Sequence, residues 1–291
     1  YMNEDAKVIF GMSDDALNHP SYYGLRNRLV KEAVSLANTE KKSSIFDIKD
    51  NGNIIEAKVF FVSTPETNHE EATVLALFKD VTQERSIEQM KRDFFSHASH
   101  ELKSPLTAIK GYAELIELGL LNDKEIPDSA HNIVKQTETM AALVEDMLML
   151  SRLENLKEKM YVENDLDQIL HGVIDQLKPI YQKKNVKIDI ESTSILMQCD
   201  SLDIQKLFKN LIENAIKYSE DDKEIKIKLY LDNHQVVFDI LDQGIGIDFE
   251  HQKRVFERFY RVDKGRLDGG TGLGLAIVKH IVMKYRGDIQ L

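Results

Sequence analysis

The chain has 291 residues, 42% of them hydrophobic, with 14 Gly and 5 Pro. At ~100 to 200 residues per domain that length predicts about two domains, and the composition excludes collagen-like, coil-only and disordered chains. A net charge of −11 argues against binding to phosphate backbones or anionic lipid, so no nucleic-acid partner is expected. The single cysteine, Cys199, has no intramolecular disulfide partner, which suits a reducing compartment such as the cytosol. No stretch reaches the ~18 to 20 consecutive apolar residues of a membrane span, and no signal segment opens the chain, so the sequence reads as soluble. It opens on Tyr1 and closes on Gly287-Asp288-Ile289-Gln290-Leu291, which reads as a strand cut short, and the whole reads as part of a longer protein.

In chain order, a helical stretch at 26–37 precedes alternating runs at 44–48 and 56–62, with Asn51-Gly52 between them. That dipeptide between alternating runs is a strong hairpin signal, and 72–80 reads as a third strand. Residues 1–81 therefore form a small α+β module with an antiparallel sheet and no obvious chemistry. From Val81 the period becomes helical, with apolar Phe95, Ala98, Leu102, Leu106, Ile109, Ala113 and Ile116. Residues 119–127 read as a loop, and Asp128 as the cap of a second long helix carrying Ile133, Met140, Leu143, Met147, Leu150 and Leu153. Such a hairpin cannot cover both apolar stripes alone, which predicts pairing with a second copy as a four-helix bundle. From about Lys157, helices at 166–183, 201–218 and 272–285 alternate with strands at 186–190, 225–231 and 235–241, an α/β sandwich.

Four constellations carry chemistry. In His97-Ala98-Ser99-His100-Glu101-Leu102-Lys103-Ser104-Pro105, Pro105 removes the helical partner of the Glu101 carbonyl and predicts a kink beside His100. His100 and Ser104 share a helix face, and a neutral imidazole is a nucleophile that an adjacent carboxylate can orient or deprotonate. The competing readings are a solvated face and a metal pair of His97 and His100, but the latter lacks the i, i+4 spacing of a zincin helix and any Cys cluster. In the helix 209–218, Asn210 and Asn214 share a face with Lys217 close by, and two amide oxygens can complete the shell of a hydrated Mg²⁺ whose charge phosphates balance. Leu207, Leu211 and Ala215 are expected to form its buried stripe. Asp242-Gln243-Gly244-Ile245-Gly246 follows an apolar strand, where a carboxylate can accept adenine amino hydrogens. Gly269-Gly270-Thr271-Gly272-Leu273-Gly274 opens a helix, with bare N–H groups facing an anion. Between them, Arg258 and Arg261 are placed to reach phosphate. Neither glycine cluster is a Rossmann fingerprint, and no P-loop occurs.

These motifs, in this order, resemble the cytoplasmic part of a sensor histidine kinase of a two-component system, over about residues 82–285. His100 to Leu106 resembles that family's H-box, which implies that His100 is the phosphoacceptor, with Glu101 and Ser104 beside it. Asn210 to Tyr218 corresponds to the N-box, implying Mg²⁺ ligation by Asn214, with Asn210 beside it, and phosphate contacts by Lys217. Asp242, Gly244 and Gly246 resemble the adenine-holding G1 box and Phe256 to Arg261 the F-box. Gly270, Thr271, Gly272, Leu273 and Gly274 resemble the G2 box, with 248–269 a lid over ATP. Residues 1–81 look like most of a PAS domain, and Asp80-Val81-Thr82 like its exit into the signalling helix. Ser104 stands where family members with phosphatase activity commonly have Thr or Asn.

The resemblance implies a multidomain α+β protein: 1–81 a PAS-like module, 82–156 a dimerising phosphotransfer hairpin, 157–291 a Bergerat-type ATP-binding domain. ATP and Mg²⁺ are the expected cofactors. Phosphate passes from His100 to an aspartate of a separate response regulator, because no receiver-like acidic pocket occurs in the chain. The expected place is cytoplasmic, tethered to a bacterial membrane by segments absent from this sequence. An ATPase of the chaperone or topoisomerase kind is the rival enzyme, but it would typically carry glutamate where Asn210 stands. A nucleotide-binding scaffold without catalysis is the other rival.

Overall fold

The structure, a computed structural model, describes residues 28–50, 52–62, 73–154, 161–262 and 270–291. They fall into two compact units, 1–95 and 96–291.

In the first, α1 (Arg28–Glu40) lies on a sheet of order β1-β2-β3, with β1 (Ser44–Asp50), β2 (Asn53–Val62) and β3 (Thr73–Asp80) antiparallel. Val30, Ala33 and Ala37 on one side of α1 are buried against Ile48, Ile55, Ala57 and Val59, the apolar set of the alternating strands. Gly52, at φ +87°, turns β1 into β2, and Asp50 pairs with Asn53 as the hairpin signal requires; Asn51 itself lies outside the described residues. After β3, Asp80 Oδ1 accepts the Thr82 backbone N–H at 2.9 Å and its hydroxyl at 2.5 Å, while Thr82 Oγ1 accepts the Ile54 N–H at 2.8 Å. These bonds hold the Asp80 carboxyl below its ordinary range and cap the next helix, α2 (Thr82–Glu117).

α2 runs unbroken through Pro105, so the proline removes one hydrogen bond without ending the helix. A turn over 118–124 leads to α3 (Glu125–Glu154). Its N-terminus differs from expectation: Asn122 is the cap, not Asp128. Asn122 Oδ1 accepts from the Lys124 and Glu125 N–H groups at 3.1 Å each, and Glu125 Oε2 accepts from Asn122 N at 3.0 Å. That reciprocal pair is a capping box, and it lets Pro127 sit inside the first turns.

The rest of the second unit is a two-layer α/β sandwich. A parallel pair, β5 (Lys187–Ser192) with β7 (Glu224–Asp232), continues antiparallel into β8 (Gln235–Leu241). On β7, Ile225, Ile227 and Leu229 are buried while the lysines between them are exposed, so only one face is covered. Two helices supply apolar residues to that core layer, α4 (Leu166–Lys183) and α5 (Ser201–Tyr218), and α7 (Gly274–Lys284), with Ala276, Ile277, Val278 and Ile281 buried, packs on α5 and α3. Sequence reading missed the short ladder of β4 (Val162–Asp165) with β6 (Leu196–Cys199), and the single turn α6 (Phe249–Gln252). Residues 287–291, read as a strand cut short, adopt no regular structure. No described helix is long and apolar enough to cross a membrane.

Candidate functional site

α5 carries the two asparagines. Asp200 caps it, its Oδ1 accepting the Leu202 N–H at 3.1 Å. Its buried stripe is Ile204, Phe208, Ile212, Ala215 and Ile216; the expected Leu207 and Leu211 are only half-buried. The apolar spacing admits both stripes, and packing against the sheet selects the one that carries Ile204, Phe208, Ile212 and Ile216. That choice rotates Asn210 inward: it is 8% exposed, and its Nδ2 donates to Gly274 O at 3.2 Å, tying α5 to the first turn of α7. Asn214 and Lys217 are half-buried and line the cleft over the sandwich, with Tyr218 exposed beside them.

The two glycine segments close on that same cleft. Asp242 Oδ1 accepts the Gly244 N–H at 2.9 Å, and Gly244 bridges to Ser219 in antiparallel fashion. Gly246 follows at φ +70°. Across the cleft, Gly270 approaches Lys217 so closely that a Cβ there would lie 3.2 Å from Nζ. Gly272, at φ +67°, offers its carbonyl to the Phe259 N–H at 2.8 Å. Leu273 is fully buried, and its N–H donates to Thr271 Oγ1 at 3.2 Å. Thus Asn214, Lys217, Asp242, Gly246, Gly270, Thr271 and Gly274 all line one large concavity. Arg258, expected at phosphate, does not line it. Its guanidinium is drawn to Glu154 at the end of α3 and lies 3.2 Å from His280 Nε2. His280 Nδ1 is bonded to Ala276 O at 2.8 Å, which leaves Nε2 to accept from the guanidinium.

His100 and Ser104 are exposed on α2, between the buried Ala98 and Pro105, and no hydrogen bond joins His100 to Glu101 among the described residues. It is His97, one turn earlier, that touches the other elements: its ring lies 5.7 Å from that of Phe259, in the 256–261 segment. His100 follows about 4.5 Å further along the helix axis.

Several contacts had no sequence signal. Asp146 of α3 is buried, accepts the Thr271 hydroxyl at 2.9 Å and pairs with Lys206 at 2.6 Å. Asp203 of α5 is fully buried between Arg152 of α3 at 2.7 Å, Lys284 at 2.5 Å and the Tyr285 hydroxyl at 3.1 Å. Burial pulls the Lys284 ammonium down, but the hydrogen bond and charge of Asp203 outweigh it, and the group ends above its ordinary range. Burial, first, pushes the Tyr285 phenol up. His251 Nδ1 and the Tyr260 hydroxyl are 2.7 Å apart at the cleft rim.

Residues 199–291 match the family model described as histidine kinase-, DNA gyrase B-, and HSP90-like ATPase, and 90–156 the His Kinase A (phospho-acceptor) domain. The sensor protein kinase WalK of Staphylococcus haemolyticus is 32% identical over 296 residues, covering 99% of this chain and 48% of its own length. A WalK sequence of Staphylococcus aureus is 30% identical over 296 residues, covering 99% of this chain and 71% of that protein. The chain thus spans about half the length of most of these curated relatives. Among solved structures, the Acinetobacter baumannii histidine kinase AdeS aligns with TM-score 0.53 and 28% identity over 64% of this chain and 86% of its own. Histidine kinase ThkA, solved in complex with the response regulator protein TrrA, aligns with TM-score 0.50 over 90% of this chain and 81% of its own; at 17% identity that is a likeness of fold. With both family models in chain order and an exposed histidine in the phospho-acceptor segment, the chain belongs to the sensor histidine kinases.

Proposed function

We propose that the chain binds ATP in the cleft between Asp242 and the 270–274 loop and transfers its γ-phosphoryl group to His100. The observation that carries the reading is the pairing, within one compact unit, of an exposed His100 with a lobe whose Asn214, Lys217, Asp242, Gly270, Thr271, Gly272 and Gly274 line one concavity. The His97–Phe259 contact brings the histidine turn of α2 against that lobe. In the transfer, the neutral imidazole attacks phosphorus as the bond to the ADP oxygen breaks. An N–P bond forms, and the ring proton passes to Glu101 or to water. Positioning and charge neutralisation carry such a reaction, so Lys217 and the N–H groups of the glycine loop hold the phosphates. Asp242 accepts the adenine amino hydrogens.

Among the described residues no group of three or more His, Cys, Asp or Glu could hold a metal. A Mg²⁺ ion therefore fits this cleft only with the nucleotide's own phosphates as principal ligands and Asn214, with Asn210 behind it, contributing amide oxygen. It would supply charge neutralisation at the transferred group. Because Asn210 is buried and tied to Gly274 O while Asn214 is half-buried, we assign Asn214 the nearer role.

We assign residues 1–81 to a PAS-like relay, 82–156 to the dimerising phosphotransfer hairpin and 157–291 to the ATP-binding domain. Exposed Leu106, Leu115, Val134, Val144 and Leu148 on the two long helices support pairing of two copies as a four-helix bundle. Phosphate then passes to an aspartate of a separate response regulator, the kind of partner with which ThkA was solved. Ser104, one turn after His100 on the same face, can position water for the reverse hydrolysis. We place the chain on the cytoplasmic side of a bacterial membrane. Incubation with γ-labelled ATP tests the reading: acid-labile label on the protein supports it, and steady ATP turnover with no protein label favours an ATPase instead.

A further inference from the structure

The base end of α5 is held from behind by a residue outside every motif. Lys184, which follows α4, places Nζ 3.1 Å from Ile216 O, 2.9 Å from Lys217 O and 2.9 Å from Ser219 O, donating to all of them. An ammonium has three protons, so its whole donor capacity goes to these carbonyls. Two of them belong to the last turn of α5, where no intrahelical partner exists and the helix dipole presents its negative end.

The clamped segment is the one that supports the Asp242 turn. Ser219 bridges to Gly244, and a Cβ on Gly244 would stand 2.5 Å from Tyr218 O, which measures how closely the two backbones touch. Gly244 in turn donates its N–H to Asp242 Oδ1. The carboxylate's place thus depends on Gly244, Gly244 on residues 218–219, and those on Lys184. The other end of α5 is fixed independently, by the Asp200 cap and by the bond from Asn210 to Gly274. Loss of Lys184 therefore loosens the Asp242 turn at the adenine end of the cleft and leaves in place the glycine loop at the phosphate end, which Asn210 holds.

We propose that Lys184 is a positioning residue for adenine recognition, setting the Asp242 carboxylate through the C-terminus of α5. This rests on the reading of the cleft as an ATP site. The test is calorimetric titration of the full chain, wild type, Lys184→Met and Lys184→Arg, with non-hydrolysable ATP and GTP analogues, beside His100 labelling kinetics. Lys184→Met is expected to weaken the adenine analogue about tenfold. The guanine analogue should weaken less, so that the preference narrows, and the labelling loss should fall on KM rather than kcat. Lys184→Arg, which keeps a cation and its donors, should recover part of the loss. Should Lys184→Met fail to fold, Lys184→Gln, with two amide donors, is expected to show an intermediate loss in the same comparison. Adenine affinity within about twofold of wild type, or equal losses for the two bases, overturns the proposal. A wild-type chain that binds neither analogue overturns the ATP-site reading itself.

Discussion

Replacing the cleft glycines by alanine, one at a time, should produce a graded loss whose order follows from backbone conformation and space. At Gly272 both costs apply. Its φ of +67° is one that an L side chain rarely adopts, and an added Cβ would meet Phe259 C and Cα at 2.9 Å. Left-handed backbone costs roughly 1–2 kcal/mol and overpacking against backbone roughly 1–3, so Gly272→Ala should cost about 2–5 kcal/mol. Gly244→Ala meets only the steric cost, with Tyr218 O at 2.5 Å, and should lose about 1–3 kcal/mol. Gly246→Ala, at φ +70° with nothing within 4 Å, pays only the conformational cost, about 1–2 kcal/mol. Gly270→Ala meets the flexible end of Lys217 at 3.2 Å, which can swing away, and should stay within about 0.5 kcal/mol. Hydrogen exchange of the full chain, followed in peptides from α5 and α7, reads these losses locally. Gly272→Ala exchanging no faster than Gly270→Ala would refute the reasoning.

Other outcomes follow from the contacts around α3 and α4. Asp203→Ala strands Lys284, only 12% exposed, beside the Arg152 charge, and should destabilise the second unit by about 3–5 kcal/mol in urea titration; a loss below about 1 kcal/mol would mean that the cluster is not held as described. Asp146→Ala and Thr271→Val, combined in a double-mutant cycle on stability, should couple by about 0.5–3 kcal/mol, and strict additivity would show that the hydroxyl bond contributes nothing. The Ser194 hydroxyl, outweighing desolvation, holds the Asp165 carboxyl below its ordinary range. Because the folded value is depressed, this stabilisation is present above the unfolded value of ~3.9 and is lost as pH falls through the folded one. Asp165→Asn should therefore flatten the fall in stability with pH below about 4, and an unchanged slope would contradict the assignment.

Much of the architecture was legible from local chemistry. Gly52 marked the first hairpin because a tight turn there requires positive φ, and Asp242 and Gly270–Gly274 announced themselves at a strand end and a helix start. What escaped was decided by packing or by distance along the chain. Asn122 and Asp128 are both capping residue types, and only the reciprocal Glu125 bond distinguishes them. The α5 stripe admitted two rotations, and the sheet selected the one that buries Asn210. Asp146 and Thr271 are 125 residues apart and Arg152 and Asp203 are 51 apart, separations at which no spacing rule operates. Charge and a position between the two glycine segments direct Arg258 to phosphate, yet the carboxylate of Glu154 holds it in this structure. Lys184 carries no motif, because its work is done on backbone carbonyls that every sequence possesses.

The central claim is that His100, and not its neighbour one turn earlier, receives the phosphoryl group. The most direct measurement is labelling of wild type, His100→Gln and His97→Gln with γ-³²P ATP, read as acid-labile, alkali-stable protein phosphate. The account predicts that the label disappears in His100→Gln and persists in His97→Gln, even though His97 is the ring that touches Phe259. Label retained in His100→Gln, or lost only in His97→Gln, would contradict it.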